Sequence, residues 1–432
     1  MMRALTIASI LLAGTCQHVL AQQPSIAEVA PRLETLALTE ADNDADADDP
    51  AIWINAADPA RSLIVTAVKN GGIRVYDLDG QLVQSIIPAE DGRINNVDVV
   101  YGFELGGEPV DLVVAADRGL DVIRTFRIDA AIAEPLTEVT DPAAARAFPT
   151  RYLASGSTED NPVDDQNTVY GLAAWRNPAD GKTWVVGTQR HQPTVGIFTL
   201  AETTDGHVSA TLDHDFTVPS EHDGQDLFAE NEDDPLLDFS PQFEGTVIDR
   251  ETGVIYAGQE DVGIWSVALS GGEPELLYAT RGSSESSFHN PDSVIARDVE
   301  GLTIYYGGDV RYLLASSQGG AHGDAPAPDA PYDDSFAVFD ITSGFELLGQ
   351  FRVSAAGDMD AVQESDGADV TSITLPGFEN GLFITQDGYA GDLNGLDGET
   401  ASTNFKFVDW KAIAETFEPP LAVVPQPVAA GQ

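Results

Sequence analysis

Cysteine is all but missing. The one present, Cys16, lies within an N-terminal apolar stretch, which leaves the rest of the chain without disulfides or thiol chemistry. Basic residues are scarce too: 21 Lys and Arg face 71 Asp and Glu, for a formal charge of −50. That balance excludes nucleic acid as a partner, since a phosphate backbone demands a basic footprint. No apolar run is long enough to span a membrane. Missing as well are a Gly-x-Ser-x-Gly elbow and any paired-His metal motif, so neither a serine nucleophile nor a histidine-bound metal is indicated. The seven histidines are scattered, mostly among loop residues. Long helical periodicity is rare; Pro142–Phe148 and Trp410–Phe417 are the helical candidates.

The first 21 residues read as a secretory signal: Arg3, an apolar run from Ala4 to Gly14, then Val19-Leu20-Ala21 ahead of Gln22. Ala13-Gly14-Thr15-Cys16 makes a poor lipoprotein site because Thr15 precedes the cysteine. The expected layout is a signal at 1–21, an extension at 22–40, one domain at 41–418 and a disordered tail at 419–432. The expected product is secreted or periplasmic, and monomeric. Metal is a natural staple for an exported chain that has no disulfide.

Short runs rich in Val, Ile, Tyr and Phe, broken by Gly, Asp and Asn, mark an all-β fold. One unit recurs, an apolar strand, a polar break and a second strand: Leu63–Val68 with Ile73–Leu78, and Leu112–Ala116 with Val122–Ile128. The later pairs are Trp184–Thr188 with Val195–Leu200, Val254–Gly258 with Ile264–Leu269, Tyr312–Ser316 with Phe336–Ile341, and Leu382–Thr385 with Asn404–Val408. Six units with room for four strands each indicate a six-bladed β-propeller. The breaks carry Lys69, Asp117-Arg118, Gln189-Arg190, Gln259-Glu260-Asp261, Gln318 and Gln386-Asp387. Equivalent breaks share one end of a propeller, so these side chains are expected to converge on one channel mouth. Polar turn residues alone would explain Gln318; they explain poorly why three of so few cations, Lys69, Arg118 and Arg190, occupy such positions.

The densest feature is Asp44-Ala45-Asp46-Ala47-Asp48-Asp49-Pro50-Ala51-Ile52-Trp53, four carboxylates in six residues directly before a strand. Packed carboxylates repel one another, and an all-oxygen ligand set favours a hard ion such as calcium; the alternative is a solvated acidic loop. Further acids fall at Glu244, Glu260-Asp261, Asp298 with Glu300, and Asp366 with Asp369. The loop Asp392–Asp397 could hold a structural ion, although it lacks EF-hand spacing. Glu221–Gln242 reads as a solvated acidic insertion and Gly319–Pro331 as a flexible one.

The acidic run together with Asn95-Asn96-Val97-Asp98 resembles the signatures of the β-propeller phytases, secreted calcium-dependent enzymes acting on inositol hexakisphosphate. Val169-Tyr170-Gly171, Glu244-Gly245, the run from Asp298 to Tyr306, that from Leu313 to Gly319, Ser365–Asp369, Gln386-Asp387-Gly388 and Asn404-Phe405-Lys406 extend the likeness in order. The resemblance implies a calcium-dependent 3-phytase in which a calcium-activated water attacks phosphorus directly, with phytate or its calcium complex as substrate. It also implies that Asp49, Glu244, Glu260 and Glu300 are active-site calcium ligands with Asp298 and Asp366 as neighbours; Asp48 and Asp369, clustered in sequence with Asp49 and Asp366, are expected metal ligands as well. Lys69, Arg118, Tyr170 and Arg190 would hold substrate phosphate. Two departures stand out: Val68 occupies a position where the family often has a second lysine, and Gln189-Arg190-His191 replaces a Lys-Glu pair. Outside this resemblance two classes stay open, a single-ion propeller lactonase or phosphotriesterase and a non-catalytic propeller binding module.

Overall fold

In the computed structural model the residues described are 26–39, 42–148, 167–219, 221–222, 225–226, 242–282, 290–320, 322, 327, 330–391 and 402–428. Six antiparallel sheets, at 50–86, 94–138, 169–217, 243–279, 302–353 and 368–409, form blades 1 to 6. Each repeated pair read from the sequence supplies the second and third strands of a blade. The innermost strands contact one another in turn, Pro50–Trp53, Ile94–Leu105, Val169–Arg176, Phe243–Asp249, Leu302–Gly307, Ala368–Thr371 and back to the first, closing a ring. The fold is a six-bladed β-propeller. A short hairpin pairs Glu221–His222 with Gln225–Asp226 outside the blades.

The core is divided in the same way. Among the described residues six apolar clusters occur, one between each pair of neighbouring blades. Ile64 packs toward blade 6 among Ile384, Phe405 and Phe407, while its neighbour Val65 packs toward blade 2 with Val113 and Phe126. A strand sandwiched between two blades buries both faces, so it reads as a continuous apolar run. Leu63–Ala67 is buried throughout, whereas the outermost strand of blade 1, Leu82–Ile86, is largely exposed.

Three expectations need correction. The extension expected at 22–40 is part of the propeller over its described residues, 26–39: Ala27–Val29 runs parallel to Glu346–Val353, and Leu33–Glu34 pairs with Asn404–Asp409 as the outer strand of blade 6. Blade 6 therefore draws on both ends of the chain. The tail is ordered to residue 428, because Leu421 is buried and Gln426 exchanges backbone hydrogen bonds with Ser372 and Thr374. Pro142–Phe148 is not helical. Asp121 accepts the Phe148 N–H while the Phe148 ring sits edge-on to Phe198, and a segment of that length cannot offset helix nucleation alone. The other candidate is a helix over Trp410–Ala414, capped by Asp409 accepting the Lys411 N–H. Residues 1–21 and Asp392–Asp397 lie outside the described residues, as do most of Glu221–Gln242 and part of Gly319–Pro331. No helix among the described residues is long and apolar enough to cross a membrane.

Candidate active site

From Ala45 the acidic run is laid out along residues 63–69, with the Asp46 and Asp48 N–H groups donating to the Val68 and Ala67 carbonyls. Its alternation then has a physical meaning. Ala45 and Ala47 enter the core between blades 6 and 1, while Asp46 and Asp48 turn toward Lys69.

The loops after the second strands repeat one backbone contact. The Arg118 N–H donates to the Arg93 carbonyl, Arg190 to Thr168 and Glu260 to Gln242, each acceptor lying just ahead of its blade's inner strand. Equivalent seats in blades 2, 3 and 4 thus hold two arginines and a carboxylate. Lys69, His191 and Asp261, on neighbouring loop positions, carry positive φ, the kind of backbone strain that collects at functional sites.

The carboxylates gather in two groups that share a member. Asp48, Glu244 and Asp366 each place an oxygen within 4.8 Å of the others, and so do Glu244, Glu260 and Glu300. All five are buried. Burial pushes the Asp48 carboxyl up to about 7 against the opposing charge of Lys69, and burial followed by neighbouring carboxylates pushes those of Asp366 and Glu300 well above the carboxylate range. Both Asp48 carboxylate oxygens and Glu300 Oε2 are buried without a hydrogen-bond partner. Acceptor oxygens left in that state suit an oxygen-seeking cation, so the residues present fit calcium.

The remaining predicted ligands lie elsewhere. Asp49 accepts the Val97 N–H and lines the central channel with Asn96, Asp98, Thr246, Thr303 and Asp369. Asp369 accepts from the Ile52 N–H, the Thr303 hydroxyl and the Val370 N–H. Asp298 is half-buried at the turn before Glu300 and stands outside both groups.

The cations border the acids. Lys69 Nζ is 2.8 Å from Asp46, 3.6 Å from Asp48 and 3.8 Å from Asp366; burial opposes its charge, but the three carboxylates prevail and its pKa is raised. The Arg118 and Arg190 guanidiniums lie 5.2 and 5.5 Å from the Tyr170 ring centre. Burial, reinforced by Glu244, Glu260 and Glu300, keeps the Tyr170 phenol protonated. Val68 is buried in the blade 6 and 1 core, which explains why no second cation stands at that position.

Sequence reading missed several participants. Gln242 Nε2 donates to both Glu260 oxygens, at 2.9 and 3.1 Å, while its Oε1 accepts the His191 N–H. Arg93 bonds Asn70 and, with Arg118, Asp44, Glu90 and Asp91, lines a cleft of about 540 Å³. A short repeat was also visible: Tyr170-Gly171, Glu244-Gly245, Glu300-Gly301 and Asp366-Gly367. At Gly171 a Cβ would collide with the Glu244 carbonyl, and at Gly245 with that of Glu300. Each glycine therefore admits the next blade's acid to the rim.

The family model described as Phytase matches residues 2–148 and 235–426. The chain belongs to the phytase family. A curated relative of this phytase, the 3-phytase of Bacillus subtilis (strain 168), is 29% identical over 384 residues, covering 87% of this chain and 82% of that one. Among solved structures, a luciferin-regenerating enzyme covers 86% of the phytase and 95% of its own chain at 9% identity and a TM-score of 0.45. The β-propeller domain of a Swd1 protein from Myceliophteria thermophila covers 83% and 82% at 10% identity and a TM-score of 0.38.

Proposed function

We propose that this chain is an exported, calcium-dependent 3-phytase that hydrolyses phosphomonoesters of inositol hexakisphosphate. The observation that carries the reading is the meeting of two carboxylate groups, joined through Glu244, with Lys69, Arg118 and Arg190 on one face of the propeller. Asp48, Glu244 and Asp366 would hold calcium on one side, and Glu244, Glu260 and Glu300 on the other. When bound, calcium neutralises the carboxylates, draws the polyanion in and lowers the pKa of the attacking water. Arg118 and Arg190 grip the oxygens of the scissile phosphate, and the Tyr170 ring between them holds their spacing. Gln242 orients the Glu260 carboxylate by donating to both of its oxygens. The cleft bordered by Arg93 takes the rest of the phosphorylated ring. A hydrolase centred on one ion would have no use for three cations at a chain-wide charge of −50, and a binding module offers no reason for those cations to meet buried carboxylates at one face. Export agrees with the apolar N-terminal sequence and the lack of cysteine beyond Cys16.

The test is phosphate release from phytate by the purified chain, with calcium and then with excess chelator. Calcium-dependent release is the expected outcome. Full activity in chelator would overturn the metal reading, and no release under either condition would overturn the substrate.

A further inference from the structure

Asn95 lies on the inner strand of blade 2, Ile94–Leu105, and is fully buried. Its Oδ1 accepts a 2.7 Å hydrogen bond from Arg118 Nη1. Its Nδ2 donates to Glu244 Oε1 at 2.6 Å and to Asn96 Oδ1 at 2.7 Å. The chemistry at each end fixes the amide's orientation: a guanidinium can only donate and an ionised carboxylate can only accept. Asparagine is the short side chain that offers an acceptor to one and a donor to the other. Aspartate would set an oxygen against Glu244, and alanine would leave both partners unmet.

The two partners are not equivalent bystanders. Arg118 is a phosphate-binding cation in the reading above, and Glu244 is the one acid shared by both carboxylate groups. A shift of Glu244 toward a bound cation pulls the amide with it, and the amide carries the guanidinium. We propose that Asn95 is a positioning residue that couples cation binding at Glu244 to oxyanion binding at Arg118. The coupling is reciprocal by thermodynamic necessity: whatever factor calcium adds to phosphate affinity, phosphate adds to calcium affinity. This rests on the calcium and phosphate reading of the site, and extends it from which groups bind to how they act together.

The experiment is calorimetric titration of calcium into the full chain, without and with inorganic phosphate held below calcium phosphate precipitation. Wild type, Asn95→Ala and Asn95→Asp are compared, each with its melting temperature in chelator. Phosphate is expected to tighten calcium binding to wild type by about tenfold, a usual size for a coupling between sites. In Asn95→Ala each ligand should still bind alone, and the phosphate effect should fall several-fold, leaving only the direct attraction between the two ions. Asn95→Asp keeps the acceptor for Arg118 but has no donor for Glu244, so it should lose the coupling too and report the same point if Asn95→Ala does not fold. A variant that melts lower and binds both ligands more weakly, yet keeps the wild-type ratio, would assign Asn95 a structural role and overturn the proposal. A wild type without any coupling would overturn the proposal together with the site reading on which it stands.

Discussion

Lys406 Nζ lies 3.0 Å from Asp387 Oδ2 in a fully buried pair on the second and third strands of blade 6. Glu34, on the N-terminal strand that completes the blade, approaches the same ammonium at 2.6 Å, and Asp360 at 2.5 Å. One lysine thus ties the start of the chain, its last blade and the preceding linker together.

Removing that lysine should cost stability and not chemistry. Lys406→Met leaves Asp387 buried without its cation, and breaking such a pair typically costs about 3–5 kcal/mol. Burial already raises the Asp387 carboxyl to about 6, with Lys406 opposing. A raised carboxyl pKa penalises the ionised folded state, and the penalty grows as pH climbs from the unfolded value toward 6 and beyond. The melting-temperature gap between variant and wild type should therefore be wide at pH 7 and narrow at pH 4.5. An equal gap at both would show that the ion pair is not what closes blade 6.

Glu300 offers the opposite signature. Glu300→Gln should lower kcat by about a hundredfold or more, the upper end of what even an outer partner of a metal ligand costs. Because burial and then Glu244 and Glu260 disfavour its ionised form, the same change should raise the melting temperature in chelator at neutral pH. Asp79→Asn, on an exposed turn of blade 1, should alter neither quantity. Steady-state kinetics and thermal melts in chelator check both. A Glu300→Gln enzyme at wild-type rate would remove Glu300 from the site.

The blade count was legible because a strand buried on both faces must be apolar throughout, and six such pairs stand out against polar turns. Lys69, Arg118, Arg190 and Glu260 were found together because each sits in the same break of that repeat. What stayed hidden depends on contacts between blades. Asn95 reads as part of a motif, yet its role follows from Glu244, 149 residues away. Asp48 and Asp49 are neighbours in sequence, but one strand's alternation sends them to different places, Asp48 to the carboxylates and Asp49 to the channel. The tail lacks any strong periodicity, and what holds it down comes from distant residues: the Trp410 indole donating to the Ala422 carbonyl, the Tyr312 and Tyr305 hydroxyls accepting the Ala422 and Val424 N–H groups, and the bridge from Gln426 to Ile373.

His191 carries a pH dependence of known sign. Burial, followed by Arg190 and Arg118, lowers its imidazole from 6.5 to about 4. Above 6.5 neither the folded nor the unfolded state binds the proton, and the residue is neutral toward stability. Between 6.5 and 4 the unfolded chain takes a proton that the folded one refuses, so stability falls as the solution is acidified. His191→Gln should relieve this, melting progressively higher than wild type as pH drops through that window in chelator. A difference that does not vary with pH would mean the imidazole is freely protonated in the fold.

The basic residues give the sharpest test of how substrate is held. Arg118 is buried and already directed by Asn95, so its guanidinium would meet a phosphate with little freedom left to lose. Arg118→Ala should lower kcat/KM at least tenfold, about 1.4 kcal/mol or more for a charge-assisted contact. Lys69 already faces Asp46, Asp48 and Asp366, so Lys69→Ala should disturb the carboxylates as well and weaken calcium binding along with catalysis. Arg190 separates two possibilities for the third blade. If its planar fork is used, Arg190→Lys should lose nearly as much as Arg190→Ala, because an ammonium cannot make two parallel bonds. If only charge matters, the lysine variant should hold the wild-type rate while the alanine variant falls. A loss confined to KM would mark a contact made equally in the ground and transition states, and a loss in kcat one that tightens as the phosphoryl group transfers. Wild-type kinetics for Arg190→Ala would show that blade 3 contributes no phosphate contact, and wild-type kinetics for all three alanine variants would remove the phosphatase reading.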